Sequence, residues 1–250
     1  MNYVPLTLTL LAVIACSDIS KDVVSSKWLS EEYIIAHCGF WSNSEGVPQN
    51  SRASLKRALA LKIFGTEFDV RQTKDGILVV NHEPVFNNQS ISNSTFEELC
   101  QSRLSNGETI PLLEEFLKIW KDSNTKVKLI VDLKSCRTSD VIALVDKYRL
   151  RNYVMFISFS IEDCIQLVDM GFGGVTSYLR GDSSPQEIKE KGIYGIDYNQ
   201  TIYNSHPEYI EEAMALGMSV FVWTVDDSVA IHDFVMSGII VTTNKPSEFK

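Results

Sequence analysis

The chain alternates between two hydrophobic patterns. Short apolar runs such as Tyr33-Ile34-Ile35-Ala36, Leu129-Ile130-Val131 and Val220-Phe221-Val222 read as strands covered on both faces. Between them lie stretches with apolar residues three or four apart, the mark of helices with one buried side. This pattern predicts strands over 33–36, 65–71, 127–134, 154–159, 174–179, 193–198, 219–225 and 239–242. It predicts helices over 50–62, 112–121, 139–148, 161–170, 184–191, 207–216 and 228–236. Thr73-Lys74-Asp75-Gly76 is a hairpin turn signal before the apolar run Ile77-Leu78-Val79-Val80. With that run taken as a hairpin arm extending the second strand, the order gives eight βα-type units. The expected fold is therefore α/β, a (β/α)₈ TIM barrel. Residues 83–111, rich in Asn, Ser and Gly with a short helical piece over 95–100, form a small insertion after the hairpin.

Active sites of such barrels lie at the C-terminal ends of the strands, and His37, Asp69, Asp132, Lys134, Ser158, Tyr178 and Trp223 all fall near those ends. Side chains alternate along a strand, so Glu67, Asp69 and Arg71 share one face, as do Asp132 and Lys134. A hairpin centred on 74–76 sets His82 beside Asp69 and near Glu67. A Glu-x-Asp pair joined by a third carboxylate suits a hard divalent cation, Ca²⁺ or Mg²⁺, which prefers oxygen ligands. His37 and His82 flank these carboxylates with side chains able to exchange protons near neutral pH. His206 and His232 fall in a loop and a helix and read as structural.

His37-Cys38-Gly39, Pro48-Gln49-Asn50-Ser51, Glu67-Phe68-Asp69-Val70, Thr73-Lys74-Asp75-Gly76, Val80-Asn81-His82, Asp132-Leu133-Lys134 and Val222-Trp223-Thr224-Val225 follow one another in an order that resembles the glycerophosphodiester phosphodiesterase family. The family pattern runs His-Arg-Gly, Pro-Glu-Asn-Thr, Glu-x-Asp, Thr-x-Asp-Gly, His-Asp, Glu-x-Lys and Trp-Thr on a TIM barrel, and the resemblance extends from about Tyr33 to the C-terminus. It implies a metal-dependent hydrolase that cleaves glycerophosphodiesters to an alcohol and glycerol 3-phosphate. His37 and His82 would be the acid–base pair, and Glu67, Asp69 and Asp132 the ligands of the cation. Lys134, Arg71, Trp223 and the position of Cys38 would contact substrate, with Phe40 and Trp41 adding to an apolar wall and Arg180 a second candidate for the phosphate.

Four positions depart from the pattern. Cys38 stands where the family has a phosphate-binding arginine, and a thiol cannot supply the paired bonds of a guanidinium. Gln49 replaces a glutamate, Asp132 replaces a metal-ligating glutamate with one methylene less reach, and Asn244 stands in place of the usual Thr-Asp-x-Pro ending. The residues thus also admit a related phosphodiesterase with another substrate, or a catalytically impaired, lipid-anchored binding protein.

Composition changes this picture little. The chain has 250 residues, 44% of them hydrophobic, which suits one large domain over 33–250. A net charge of −9 argues against nucleic acid or an anionic membrane surface as the main partner and leaves a small phosphodiester molecule. Residues 1–16, an apolar run ending Ala15-Cys16, resemble a bacterial lipoprotein signal with Cys16 as the lipidated residue; 17–32 read as a polar tether. The expected location is the cell envelope, periplasmic or outer membrane, by that anchor alone. Cys38, Cys100, Cys136 and Cys164 have no Cys-x-x-Cys spacing and fix no disulfide connectivity.

Overall fold

The computed structural model describes residues 31–249, so the expected signal segment and all but the end of the expected tether lie outside the described residues. After a 3₁₀ turn (Glu31–Tyr33), strand β1 (Ile34–Ala36) leads to helix α1 (Arg52–Leu59) and strand β2 (Gly65–Gln72). Strand β3 (Leu78–Val80) returns antiparallel to β2, pairing Val70 with Val80 and Arg71 with Val79. The insertion holds a small hairpin, β4 (Val85–Phe86) with β5 (Gln89–Ser90), and the short helix α2 (Phe96–Leu99). That hairpin was not legible in the sequence.

From there helices and strands alternate. Helix α3 (Leu113–Asp122) precedes β6 (Lys128–Ser135), α4 (Thr138–Tyr148) precedes β7 (Val154–Ser158), and α5 (Ile161–Asp169) precedes β8 (Thr176–Tyr178). Helix α6 (Pro185–Glu190) leads to β9 (Gly195–Asn199), the pair α7 (Gln200–Ser205) and α8 (Glu208–Ala215) to β10 (Ser219–Trp223), and α9 (Ser228–Met236) to β11 (Ile240–Thr243). The pattern of apolar positions predicted one helix between β9 and β10, and the structure has two. Asn199 starts the extra one, its side chain accepting from Thr201 N.

The sheet has nine strands in the order β1-β11-β10-β9-β8-β7-β6-β2-β3, and β1 also pairs with β2, closing the eight parallel strands into a barrel with β3 outside the closure. Ile35, Ile130, Ile157, Leu179 and Phe221 form a buried apolar layer, with Phe64 and Trp223 packed against it. The opposite faces of the barrel strands, with Phe68, Val70, Leu129, Val131 and Val222, pack on the helices. Each such buried side chain contributes about 1.5–3 kcal/mol, so the strand scaffold resists displacement.

Helix α1 is shorter than the 50–62 expected because its start is committed elsewhere. Ser51 caps it, accepting from Ser54 N, and Asn50 takes a left-handed conformation, φ 53°, that no helix continues. The side chain of Asn50 is thereby turned toward Asp69 of β2. The four cysteines among the described residues are all unpaired.

Candidate active site

Glu67 and Asp69 sit on β2, and the parallel register sets Asp69 directly beside Asp132 of β6. One residue further the register slips: Val70 faces Leu133 but Arg71 faces Ser135, leaving Lys134 without a partner opposite. Lys134 Nζ lies 2.6 Å from Asp132 Oδ2 and 3.3 Å from Asp69 Oδ1. These two strands bring Glu67, Asp69, Asp132 and Lys134 into a cavity of about 300 Å³ that His37, after β1, and His82, after β3, also line, with Trp223 on its wall. A wider depression of about 630 Å³, lined by Tyr33, Leu61, Phe64 and Lys126, has no such convergence of carboxylates and histidines.

The loop after β1 is built to hold Glu67. Cys38 and Gly39 both have positive φ, 52° and 80°, which turns two successive N–H groups toward β2. Cys38 N donates to Glu67 Oε2 at 2.8 Å and Gly39 N donates to Glu67 O at 3.1 Å. A Cβ at Gly39 would lie 2.5 Å from Ser54 Oγ, so the close approach to α1 as well as the backbone angle requires glycine. Asn50 completes the clamp, donating from Nδ2 to Asp69 Oδ2 at 2.7 Å and accepting from Asp69 N at 3.2 Å.

His37 is oriented from the other side. Its Nδ1 lies 2.8 Å from Asn244 Oδ1, and Trp41 Nε1 donates to the same oxygen at 3.3 Å. Asn244 Nδ2 donates to Asp226 Oδ2 at 2.8 Å. An indole N–H can only donate and a carboxylate only accept, so the Asn244 amide has one possible orientation and Nδ1 of His37 carries the proton. Nε2 keeps its lone pair and lies 4.0 Å from Glu67 Oε2. Burial pushes the His37 imidazole below its ordinary value, against the opposing bond from Asn244 and the charge of Asp69. It is neutral at pH 7. His82 stands at the exposed rim, its Nδ1 2.9 Å from Glu83 Oε1.

The charges do not balance. Burial first, then Asp69 and Asp132, push Glu67 well above the usual carboxylate range, and burial pushes Asp132 up to about 6 despite its bond to Lys134. Lys134 is held charged by Asp132 and Asp69 although burial opposes it. Asp132 Oδ1 is buried without a hydrogen-bond partner. Oxygens of Glu67, Asp69 and Asp132 lie within 4.8 Å of one another, a set able to hold one hard divalent cation. The orphaned oxygen and the excess of negative charge over one ammonium fit such an ion.

Not every expected contact converges here. Arg71 does not line the cavity; its guanidinium is spent on backbone carbonyls, Nε at 3.2 Å from Asn81 O and Nη2 at 2.5 Å from His82 O, and so pins the strand end that carries His82. Arg180 is exposed beside Asp182, at 3.9 Å. Lys134 is the one lysine or arginine lining the cavity among the described residues. Phe40 packs under the Arg57 guanidinium and Trp41 is engaged with Asn244, so neither forms the wall. Phe159 does, edge-on to Trp223 at 5.6 Å and 5.2 Å from Lys134 Nζ. The Cys38 thiol is buried, 3.5 Å from Asp69 Oδ2. His206 is exposed beside Glu208, and His232 is half-buried beside Asp233.

Besides Phe159, two contributors were missed in the sequence. Asn244 registered only as a departure from the usual ending, yet it orients His37. Asp197, between buried Ile196 and Tyr198 on β9, lines the cavity at 2% exposure with Oδ1 unpartnered, and a carboxylate inside so apolar a strand was the signal for it.

The sequence profile of the glycerophosphoryl diester phosphodiesterase family matches residues 42–247. The chain belongs to that family. It is therefore a phosphoric diester hydrolase. Among its relatives, a glycerophosphodiester phosphodiesterase of Caldanaerobacter subterraneus subsp. tengcongensis is 27% identical, over 82% of this chain and 90% of the relative. The crystal structure of a glycerophosphodiester phosphodiesterase from Parabacteroides distasonis superposes with a TM-score of 0.82 at 36% identity, covering 88% of this chain and 95% of that one. A phosphodiesterase from Oleispira antarctica, solved in complex with the product sn-glycerol-3-phosphate, shares the fold at 21% identity and a TM-score of 0.72, over 86% and 94% of the two chains. The family match begins at Ser42, after the His-Cys-Gly turn.

Proposed function

We propose that the protein hydrolyses glycerophosphodiesters to glycerol 3-phosphate and an alcohol, with a divalent cation, Ca²⁺ or Mg²⁺, held by Glu67, Asp69 and Asp132. The observation that carries this reading is the orientation of His37, its Nδ1 held by Asn244 so that Nε2 stands at the edge of a buried carboxylate cluster whose other rim carries His82. Membership of the family and the product bound by the Oleispira relative support the choice of substrate class.

An anionic phosphodiester does not enter a cavity lined by Glu67, Asp69, Asp132 and Asp197 against one lysine unless that charge is offset. When bound, the cation supplies positive charge that draws in and polarises the phosphoryl group. Lys134 adds a second positive centre from the β6 side, held in place by Asp132 and Asp69. His37 Nε2 accepts a proton from the water that attacks phosphorus, and the Asn244–Asp226 pair keeps the imidazole in the tautomer this needs. His82, at the solvent rim with its ring anchored on Glu83 and its backbone on Arg71, donates the proton that the departing alkoxide requires. Trp223, fixed by its Nε1 bond to Asp197 O at 2.8 Å, and Phe159 give the carbon skeleton an apolar wall.

The test is release of glycerol 3-phosphate from a panel of glycerophosphodiesters with Ca²⁺, Mg²⁺ or EDTA. Turnover with either cation and its loss in EDTA are expected; turnover unaffected by EDTA would refute the metal role, and no turnover on any member would refute the substrate class. The anchor is part of the same proposal: Cys16 carries lipid and ties the enzyme to the cell envelope, so Cys16→Ala moves the protein from the membrane to the soluble fraction. A soluble wild-type protein would dismiss the anchor.

A further inference from the structure

The carboxylate Glu67 faces two donor sets of different chemistry. With Asp69 and Asp132 it makes an all-oxygen group, and with His37 and Cys38 it makes a second group whose ligand atoms also lie within 4.8 Å of one another. We propose that His37, Cys38 and Glu67 form a second cation subsite, of mixed nitrogen, sulfur and oxygen donors, that takes a thiophilic divalent ion such as Zn²⁺ and thereby occupies the imidazole that serves as base.

Ligand softness separates the two sets. Ca²⁺ and Mg²⁺ take oxygen and leave thiols alone, whereas zinc binds Cys sulfur at about 2.3 Å, His nitrogen at about 2.0–2.1 Å and carboxylate oxygen at about 2.0–2.2 Å. Bonds of that length place tetrahedral ligands about 3.3–3.8 Å apart. His37 Nε2 and Glu67 Oε2 are already 4.0 Å apart, so a small rotation of either side chain closes the gap.

Each donor is prepared. The Nδ1–H of His37 is given to Asn244, itself held by Asp226, which is the outer-shell arrangement that fixes a ligating imidazole and aims its other nitrogen. Cys38 N donates to Glu67 Oε2, so the turn that carries the sulfur is fixed against the β2 carboxylate, with the thiol 3.5 Å from Asp69 Oδ2 until an ion draws it over. The cavity also calls for positive charge independently of the cysteine: Asp132 Oδ1 and Asp197 Oδ1, both buried and both on residues lining it, have no hydrogen-bond partner. On binding, the Cys38 S–H bond breaks, its proton passes to the buffer, and the sulfur lone pair bonds the ion. A dication with one thiolate, one carboxylate and a neutral imidazole is then neutral overall.

The coordination stands apart from the hydrolytic reading; only the inhibition it causes rests on His37 acting as base. The probe is Co²⁺ alone, titrated into the full chain without substrate. A thiolate-to-cobalt charge-transfer band in the near ultraviolet is expected, saturating at one ion per chain, absent from Cys38→Ser and erased by Zn²⁺. In the hydrolysis assay with Ca²⁺ or Mg²⁺ present, Zn²⁺ inhibits, and Cys38→Ser needs at least about tenfold more Zn²⁺ for the same inhibition. Absence of the band from folded wild-type protein, or its persistence in Cys38→Ser, overturns the proposal. A band without hydrolysis would instead strike the proposed reaction and leave the subsite standing.

Discussion

His37→Ala lowers the rate of glycerol 3-phosphate release by about 10²–10⁴-fold, the range over which a positioned general base contributes. The loss falls on kcat more than on KM, because Lys134 and the carboxylate cluster that receive the phosphate are untouched by the change. Burial disfavours the imidazolium, so the wild-type base stays neutral to a lower pH than a free histidine. The acid limb of kcat/KM therefore lies below pH 6.5, the ordinary value for the group. Titrating kcat/KM from pH 5 to pH 8 in wild type and variant checks both parts. A variant that keeps a tenth or more of the wild-type rate would remove His37 from the mechanism.

Glu67→Gln separates activity from stability. The glutamine oxygen can still accept from Cys38 N, so the turn keeps its hydrogen bond while the charge disappears. Without the charge the cation loses a ligand, and hydrolysis falls by about 10² or more, the several kcal/mol that a bound ion supplies to charge stabilisation. Stability moves the other way. A carboxylate whose folded-state pKa is raised binds its proton more tightly in the folded chain than in the unfolded one. Its contribution is thus favourable at low pH and is lost as pH rises through the folded value. Glu67 behaves so, and Asp132, pushed from 3.8 up to about 6, loses its contribution between those values. At pH 7 in EDTA the wild-type protein therefore carries a destabilising contribution from burying this acid beside Asp69 and Asp132 that Glu67→Gln relieves, and the variant melts a few degrees higher, at about 2–4 °C per kcal/mol for a domain of this size. Ca²⁺ or Mg²⁺ raises the wild-type Tm but not that of the variant. Calorimetry with and without the ion decides: a variant that melts lower in EDTA, or that still gains from the ion, would contradict the charge imbalance.

What could be read before folding was what local geometry dictates. Alternation along a strand placed Glu67 and Asp69 on one face, and likewise Asp132 and Lys134, because a strand offers only two faces and the flanking apolar residues claim the other. The turn at Thr73-Lys74-Asp75-Gly76 fixed the return of β3 closely enough to bring His82 to the cavity rim, since hairpin register follows from turn length. The alternation of apolar runs and amphipathic stretches was sufficient for the closed barrel, because parallel strands covered on both faces leave few other arrangements.

The tertiary structure decided what depends on partners distant in the chain. Arg71 has the right face of β2 for the cavity, yet the carbonyls of Asn81 and His82 claim its guanidinium. Trp41 and Phe40 have the composition of an apolar wall, but Asn244 and Arg57 engage them and Phe159 takes the place. Asn244 is 207 residues from His37, a separation across which no local rule operates; only the closure of β1 against β11 sets the two side by side. The same closure turns Cys38 inward onto Asp69 and buries Asp197 opposite. Periodicity along the chain therefore determined which residues could face the barrel mouth. Which of them point into the cavity, and with what charge, was settled by competition for hydrogen bonds and by burial, and both exist only once the barrel is closed.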